Sequence, residues 1–192
     1  FDSFDHYYTL YQQRNTELWI EYGEGKITKD ELNRQRFFYP LQAVGVEDEA
    51  LAEQFSKDFF AIIPTKSTLM PHAKEVLEYL APKYNLYILS NGFRELQSCK
   101  MRSAGVDGYF KKVILSEDLG VLKPWPAIFN FALSATQSEL RESLMIGDSW
   151  EADITGAHGV GMHQAFYNVT ERTTFPFLPT YHIHSLKELM DL

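Results

Sequence analysis

Short apolar runs alternate with helical stretches over the last two thirds of the chain, and this alternation constrains the fold more than any other feature. The apolar runs cover residues 86–89, 113–115, 144–146 and 164–167. Stretches with helical spacing separate them, near residues 94–104, 126–135 and 150–158. Alternation of this kind predicts a three-layer, Rossmann-like α/β core, in which helices cover both faces of a parallel sheet.

The first third of the chain has the periodicity of helices instead. Apolar side chains recur at helical spacing from Phe4 to Tyr22. Thr28 and Glu31 form a capping-box pattern, which predicts a second helix running toward Pro40. A third helix is predicted to end at about residue 64.

The pattern changes near residue 67. We therefore predict an all-α helical domain over residues 1–67 and an α/β core over residues 68–192. A chain of 192 residues is long enough for one core with a small appended domain.

The charge of the chain limits its partners. The formal net charge is -8, which argues against binding to a nucleic acid polymer or an anionic membrane. A small anionic substrate stays compatible, because local cations can attract it. Cys99 is the single cysteine, and the sequence contains no signal-peptide pattern and no apolar run long enough to span a bilayer. These features predict a cytoplasmic protein and leave its oligomeric state open.

A small polar tripeptide, Ser90-Asn91-Gly92, follows the first predicted strand directly. In parallel sheets, ligands bind beyond the carboxyl ends of the strands. A hydroxyl group followed by backbone N–H groups at a helix start can hold a phosphate. We predict that these three residues bind phosphate; the alternative is an ordinary turn, in which all three residue types are common.

Lys123 lies in the loop that starts at the carboxyl edge of the strand over residues 113–115. A cation at the same edge as Ser90 can neutralise a phosphoryl group. The alternative is a solvated lysine beside Pro124.

Asp148 and Asp153 follow the strand over residues 144–146 and form the most specific pattern. Two carboxylates held close together at a sheet edge call for a cation, and hard oxygen ligands are those that Mg²⁺ selects. We predict that both side chains bind Mg²⁺. In the alternative, Asp148 caps the next helix and Asp153 faces solvent.

The order of these sites resembles the motifs of the haloacid dehalogenase superfamily of phosphotransferases. Ser90 in Leu89-Ser90-Asn91-Gly92 matches the second motif, and Lys123 in Leu122-Lys123-Pro124 matches the third. Asp148 and Asp153 match the fourth, Gly-Asp-x-x-x-x-Asp, and the likeness covers about residues 69–170. The helical domain stands where this family inserts a helical cap.

The resemblance implies an aspartyl-phosphate mechanism. One aspartate attacks phosphorus, a second aspartate two positions later handles the leaving-group proton, and Mg²⁺ bridges carboxylate and phosphate. Ser90 would bind the phosphoryl oxygens, Lys123 would offset negative charge, and Asp148 and Asp153 would hold the metal. The acidic fourth motif favours phosphate chemistry over that of true dehalogenases, which use no metal.

The family's first motif, an apolar strand ending in Asp-x-Asp-x-Thr, has no counterpart in this sequence. Asp2 and Asp5 are three positions apart, and no apolar strand precedes them. We therefore expect the first core strand, central in the family's sheet, to be absent from this chain, and the chain by itself to be inactive. Because residue 1 is Phe1 and not methionine, we expect a longer natural chain to carry the nucleophile upstream.

The pattern as a whole is similar to that of bacterial nucleotide 5′-monophosphatases, including pyrimidine-specific ones. We predict a Mg²⁺-dependent phosphate-monoester hydrolase that acts on a small phosphorylated metabolite, such as a nucleoside 5′-monophosphate. The alternative is a non-catalytic member that binds phosphate or a partner. Aromatic residues of the cap, Tyr11 and Trp19 among them, could stack on a base or form its core, and Arg34 and Arg36 could reach substrate or lie on a solvated face.

Overall fold

The computed structural model describes residues 3–192, and the chain divides into two compact units after Thr65. The first unit is helical, and the second contains every strand of the described residues. No helix within residues 3–192 is both long enough and apolar enough to cross a bilayer.

The described part of the first unit contains three α-helices: α1 (Phe4–Gly23), α2 (Lys29–Ala43) and α3 (Glu49–Ile62). The residue directly before each helix accepts, with its side chain, a hydrogen bond from a backbone N–H of the first turn; these residues are Ser3, Thr28 and Asp48. The capping box predicted for α2 is confirmed. Glu31 N–H donates to Thr28 Oγ1 at 3.2 Å, and Thr28 N–H donates to Glu31 Oε2 at 2.8 Å.

An aromatic and aliphatic core joins these helices. Its buried members are Tyr7, Phe37, Leu41 and Ala52. The second helix continues to Ala43, three residues beyond Pro40, because that proline is fully buried and its packing offsets the missing N–H. Asp5 lies in the first turn of α1, whereas Asp2 lies outside the described residues.

The second unit contains five strands and four α-helices. The strands are β1 (Tyr87–Ser90), β2 (Lys112–Leu115), β3 (Leu144–Gly147), β4 (His163–Tyr167) and β5 (Tyr181–Ile183). The helices are α4 (Ala73–Leu80), α5 (Arg94–Ser103), α6 (Pro126–Thr136) and α7 (Thr155–Gly159). The first four strands lie where the apolar runs predict them.

All strand pairs in the described residues are parallel, but they form two sheets where the sequence predicts one. One sheet is β1-β2 and the other is β3-β4-β5. β1 ends at Ser90 and β3 ends just before Asp148, and no backbone ladder joins these two strands within the described residues. Leu144 and Ile146 of β3 remain 37% and 38% exposed, unusually high for apolar strand residues. Within residues 3–192, β1 pairs only with β2 and β3 only with β4, so each of the two strands keeps one edge without a strand partner.

The two sheets nevertheless share helix layers. Leu89 of β1 and Met145 of β3 pack in one cluster with Ile128 and Phe129 of α6. A second cluster joins residues of α4, including Val76 and Leu80, to Leu86, Ala165 and Ile183. The predicted α/β architecture, a parallel sheet core between helices with a separate helical unit, is therefore confirmed.

Candidate functional site

The hydroxyl group of Ser90 is held in place at the carboxyl end of β1. Gly92 N–H donates to Ser90 Oγ at 3.0 Å, and Gln97 Nε2 donates to the same oxygen at 2.8 Å. Gln97 comes from the first turn of α5, so the helix fixes the strand end. The N–H of Gly92, which the sequence assigned to phosphate, is bonded to Ser90 here.

Asn91 connects the turn after β1 to the loop that carries Lys123. Its Nδ2 donates to the backbone oxygen of Lys123 at 3.1 Å, and the Lys123 N–H donates to Asn91 Oδ1 at 2.8 Å. Ser116 Oγ adds a hydrogen bond to the Asn91 carbonyl oxygen at 3.3 Å. The side chain of Asn91 is therefore hydrogen-bonded to Lys123. The contact with phosphate predicted for Asn91 would have to use its backbone N–H instead.

The ammonium group of Lys123 is buried, so the alternative of a solvated lysine is wrong. Its Nζ donates to the carbonyl oxygen of Leu89 at 2.8 Å and to Asp153 Oδ1 at 2.5 Å. The side chains of Lys123 and Asp153 are only 10% and 7% exposed. Lys123 thus links the end of β1 to the turn that follows β3.

Asp153 is buried as well, which contradicts the solvent-facing alternative. It lies in a single π-helical turn, Trp150–Ile154, directly before α7. While Oδ1 meets Lys123, Oδ2 accepts the N–H of Ser149 at 3.2 Å. A Cβ at Gly147 would collide with the carboxylate of Asp153, so the last residue of β3 must be glycine for this turn to fold back over the strand end.

Asp148 differs from Asp153 in its surroundings. It is exposed, and within residues 3–192 its carboxylate has no hydrogen-bond or ion-pair partner. Ser149 caps the following turn, because its Oγ accepts the N–H of Ala152 at 3.1 Å. The alternative role of Asp148 as the helix cap is therefore wrong, and its carboxylate is available to a ligand.

The chemistry of these donors fits Mg²⁺. Mg²⁺ binds through one or two carboxylates and keeps several waters, or takes oxygens of a substrate phosphate. Asp148 supplies one carboxylate directly after β3, and Asp153 supplies another five residues later, in the turn Trp150–Ile154. In the described part of the chain, no group of three or more His, Cys, Asp or Glu side chains is arranged to hold a metal ion. A cation that needs only two carboxylates suits this edge better than Zn²⁺ does, since Zn²⁺ is normally held by at least three protein ligands.

Sequence reasoning missed two parts of this arrangement. Gln97 lies in the helix predicted near residues 94–104, but its contact with Ser90 depends on how α5 packs against the end of β1, which has no local sequence signal. The carbonyl of Leu89 is a backbone acceptor, which no residue pattern reveals.

Comparison with protein families gives a match over most of the chain. The family model for haloacid dehalogenase-like hydrolases matches residues 4–161. Pyrimidine 5′-nucleotidase YjjG of Escherichia coli is 33% identical over 184 residues, which are 95% of this chain and 80% of that protein. Pyrimidine 5′-nucleotidase PynA of Streptococcus pneumoniae is 30% identical over 191 residues, or 96% of this chain and 78% of that protein.

A solved structure resembles this chain along nearly its whole length. The crystal structure of the HAD-hydrolase YfnB from Bacillus subtilis, bound to magnesium, superposes with a TM-score of 0.86 and 32% identity. The superposition covers 98% of this chain and 82% of the YfnB chain. Interdomain movement is described for the YfnB structure.

Proposed function

Since the chain belongs to the haloacid dehalogenase-like hydrolases, we propose that it is part of a Mg²⁺-dependent phosphate-monoester hydrolase acting on a small phosphorylated metabolite. The two relatives named pyrimidine 5′-nucleotidases support a phosphatase-type hydrolase. Nucleoside 5′-monophosphates are therefore the first substrates to test. We propose that the helical unit serves as the cap that selects among them.

One observation carries the proposal: Lys123 Nζ contacts both the Leu89 carbonyl oxygen, at 2.8 Å, and Asp153 Oδ1, at 2.5 Å. Leu89 immediately precedes Ser90, and Asp153 follows Asp148 by five residues. A cation and a carboxylate therefore meet at the end of β1, next to the Ser90 hydroxyl, and this supports a site for a phosphoryl group.

In this proposal each residue has a distinct task. Ser90 donates its hydroxyl hydrogen to a phosphoryl oxygen, and Lys123 offsets negative charge on the phosphoryl group. Asp148 and Asp153 would hold Mg²⁺, whose chemistry when bound is to stabilise negative charge on the phosphoryl oxygens as a Lewis acid. Asn91 keeps Lys123 in register with the end of β1.

The proposed mechanism also needs an aspartate nucleophile and a second aspartate two positions later. No Asp-x-Asp pair occurs anywhere in residues 1–192. We therefore propose that these residues alone bind phosphate and metal without appreciable turnover. The same observation favours a second candidate function, a non-catalytic chain that binds phosphate or a partner.

A panel of phosphorylated metabolites, nucleoside 5′-monophosphates included, tests the proposed hydrolase with the full-length protein. We expect release of inorganic phosphate that EDTA abolishes and Mg²⁺ restores. Hydrolysis that survives thorough chelation would contradict the metal-dependent mechanism. Tight binding of inorganic phosphate with no hydrolysis of any member of the panel would support the non-catalytic candidate.

A further inference from the structure

The hydrogen bonds to Ser90 Oγ use up its capacity as an acceptor. A serine hydroxyl has two acceptor lone pairs and one O–H donor. Gly92 N–H and Gln97 Nε2 both donate to this oxygen, at 3.0 and 2.8 Å. Any further hydrogen bond of Ser90 must therefore use its O–H as the donor.

We propose that Gln97 is a positioning residue that turns the Ser90 hydroxyl into an obligate donor, directed at an anionic oxygen. This inference rests on the proposed function, in which Ser90 binds a phosphoryl oxygen. An obligate donor favours the acceptor-rich oxygens of a phosphate ester, because they offer no hydrogen to compete for the lone pairs of Ser90.

The space that the Gln97 amide occupies also explains why position 92 is glycine. A Cβ at Gly92 would collide with Nε2 of Gln97, so a larger residue would push the amide away from Ser90. The backbone at Gly92 supplies one donor to Ser90, and its missing side chain makes room for the other. The hydrogen bond from Gln97 thus depends on this residue being glycine, whereas the one from the backbone N–H does not.

Replacing the amide at position 97 with a carboxylate tests whether Gln97 controls the direction of the Ser90 hydroxyl. Glutamate has nearly the same shape as glutamine, but an ionised carboxylate only accepts hydrogen bonds. In Gln97→Glu, the Ser90 O–H would turn toward the carboxylate and would no longer be available to phosphate. In Gln97→Met, the hydroxyl loses its orienting donor but keeps its hydrogen free, so the loss should be smaller.

The experiment measures competitive inhibition by inorganic phosphate, together with kcat and KM, in the full-length protein with Mg²⁺. Ser90→Ala sets the size of the whole hydroxyl effect. Gln97→Glu should weaken inhibition by phosphate about 10- to 100-fold, as Ser90→Ala does, since a hydrogen bond to a charged group is lost. Gln97→Met should weaken it less, by about two- to fivefold, because only the orientation of the donor is relaxed.

Gln137→Glu is the matched control, because this exposed glutamine follows α6 and precedes the strand whose opposite end carries Asp148. It introduces the same charge change and should leave phosphate inhibition unchanged. If Gln97→Glu does not fold, Gly92→Ala replaces it, and a loss of phosphate inhibition equal to that of Gln97→Met supports the inference.

Two results would overturn the inference, and they differ in what else they affect. If Ser90→Ala weakens phosphate inhibition but Gln97→Glu and Gly92→Ala behave like the control, Gln97 has no positioning role and the proposed function stands. If Ser90→Ala itself has no effect, the proposed contact between Ser90 and phosphate fails, and the role of Gln97 fails with it.

Discussion

Lys123 and Asp153 form a buried ion pair, with Nζ and Oδ1 2.5 Å apart. The remaining hydrogen bonds of both groups are to backbone atoms, the Leu89 carbonyl oxygen for Lys123 and the Ser149 N–H for Asp153. This pair joins the end of β1 to the turn after β3, although these strands share no backbone hydrogen bonds within the described residues. It is therefore both a part of the candidate site and a link between the two sheets.

Removing one partner of this pair should destabilise the second unit strongly. In Lys123→Met, the carboxylate of Asp153 stays buried without a compensating charge, which costs about 3–5 kcal/mol in comparable cases. Urea unfolding of the full-length protein measures the change in the free energy of unfolding. Adding Asp153→Asn to Lys123→Met should cost little more, because the uncompensated charge is then gone.

Lys57→Met is the matched control, since Lys57 and Glu53 form an ion pair with a similar distance, 2.8 Å, but with side chains 65% and 69% exposed. Its free energy of unfolding should hardly change, because exposed ion pairs contribute little. Equal effects of Lys57→Met and Lys123→Met would show that the buried pair adds no special stability.

Substituting the two carboxylates of the site one at a time should distinguish an effect on Mg²⁺ binding from an effect on stability. Asp148→Asn should abolish most Mg²⁺ binding and activity while leaving the urea midpoint unchanged, because Asp148 is exposed and has no partner among the described residues. Asp153→Asn should lower the urea midpoint as well, because Lys123 then keeps its charge without a carboxylate. Calorimetric Mg²⁺ titration and urea unfolding of both variants make the comparison.

Asp107→Asn serves as the control, since it removes an exposed carboxylate from another loop of the same unit. Mg²⁺ affinity should be unaffected in this variant. An Asp148→Asn protein that binds Mg²⁺ as tightly as the unaltered protein would exclude Asp148 as a ligand.

The part of the fold that follows from local patterns could be predicted from the sequence. The capping box at Thr28 and the first four strands depend on neighbouring residues, and they lie where expected. The meeting of Lys123 with the end of β1 and with Asp153 follows from a rule of parallel sheets, in which strand ends share one edge. The predicted roles of these residues in binding phosphate and Mg²⁺ remain predictions.

Tertiary packing decided the features that the sequence did not reveal. Gln97 meets Ser90 because of how the predicted helix α5 packs against the end of β1, and Asp153 turns inward because Gly147 leaves room for its carboxylate. The single sheet predicted from strand alternation is divided into two within the described residues, and alternation alone does not show which strands pair. Burial of Arg36 was also missed, because helical spacing alone does not tell a charged residue's packing from its exposure.

Arg36 lies inside the helical unit, so the alternative that placed it on a solvated face is wrong. It is 6% exposed, and its Nη2 donates to Asn15 Oδ1 at 2.6 Å. Its guanidinium carbon lies 5.8, 5.8 and 5.3 Å from the ring centres of Tyr11, Phe37 and Phe59. Burial lowers the pKa of Arg36, and Tyr11 opposes this shift. The aromatic faces and one amide stabilise the buried cation.

Truncating Arg36 should therefore destabilise the helical unit through lost packing. Arg36→Ala should lower the free energy of unfolding by about 2–5 kcal/mol, whereas Arg36→Met, which keeps most of the volume, should cost less. Arg34→Met is the control, because Arg34 is 57% exposed on the same helix. Urea unfolding decides the matter: an Arg36→Ala protein as stable as Arg34→Met would show that the buried guanidinium contributes nothing to packing.

Within residues 3–192, β1 and β3 each have one edge without a strand partner, and this bears on how a nucleophile could reach the site. The proposed site consists of a hydrogen-bond donor, a cation and two metal ligands, which are Ser90, Lys123, Asp148 and Asp153. None of these residues is proposed to attack phosphorus. A strand that paired with both edges and ended in Asp-x-Asp-x-Thr would deliver its first aspartate to the same sheet edge as these residues. It would also satisfy the backbone groups of both edges and cover Leu144 and Ile146.

The most direct test of this account compares hydrolysis of a generic aryl phosphate by two forms of the protein in the presence of Mg²⁺. One form is the 192-residue chain, and the other is the same chain extended upstream by an apolar strand ending in Asp-x-Asp-x-Thr. We predict that only the extended form turns over, because loss of a nucleophile in covalent catalysis costs several orders of magnitude in kcat. Equal rates in the two forms would place the nucleophile among residues 1–192 and would contradict the mechanism proposed here.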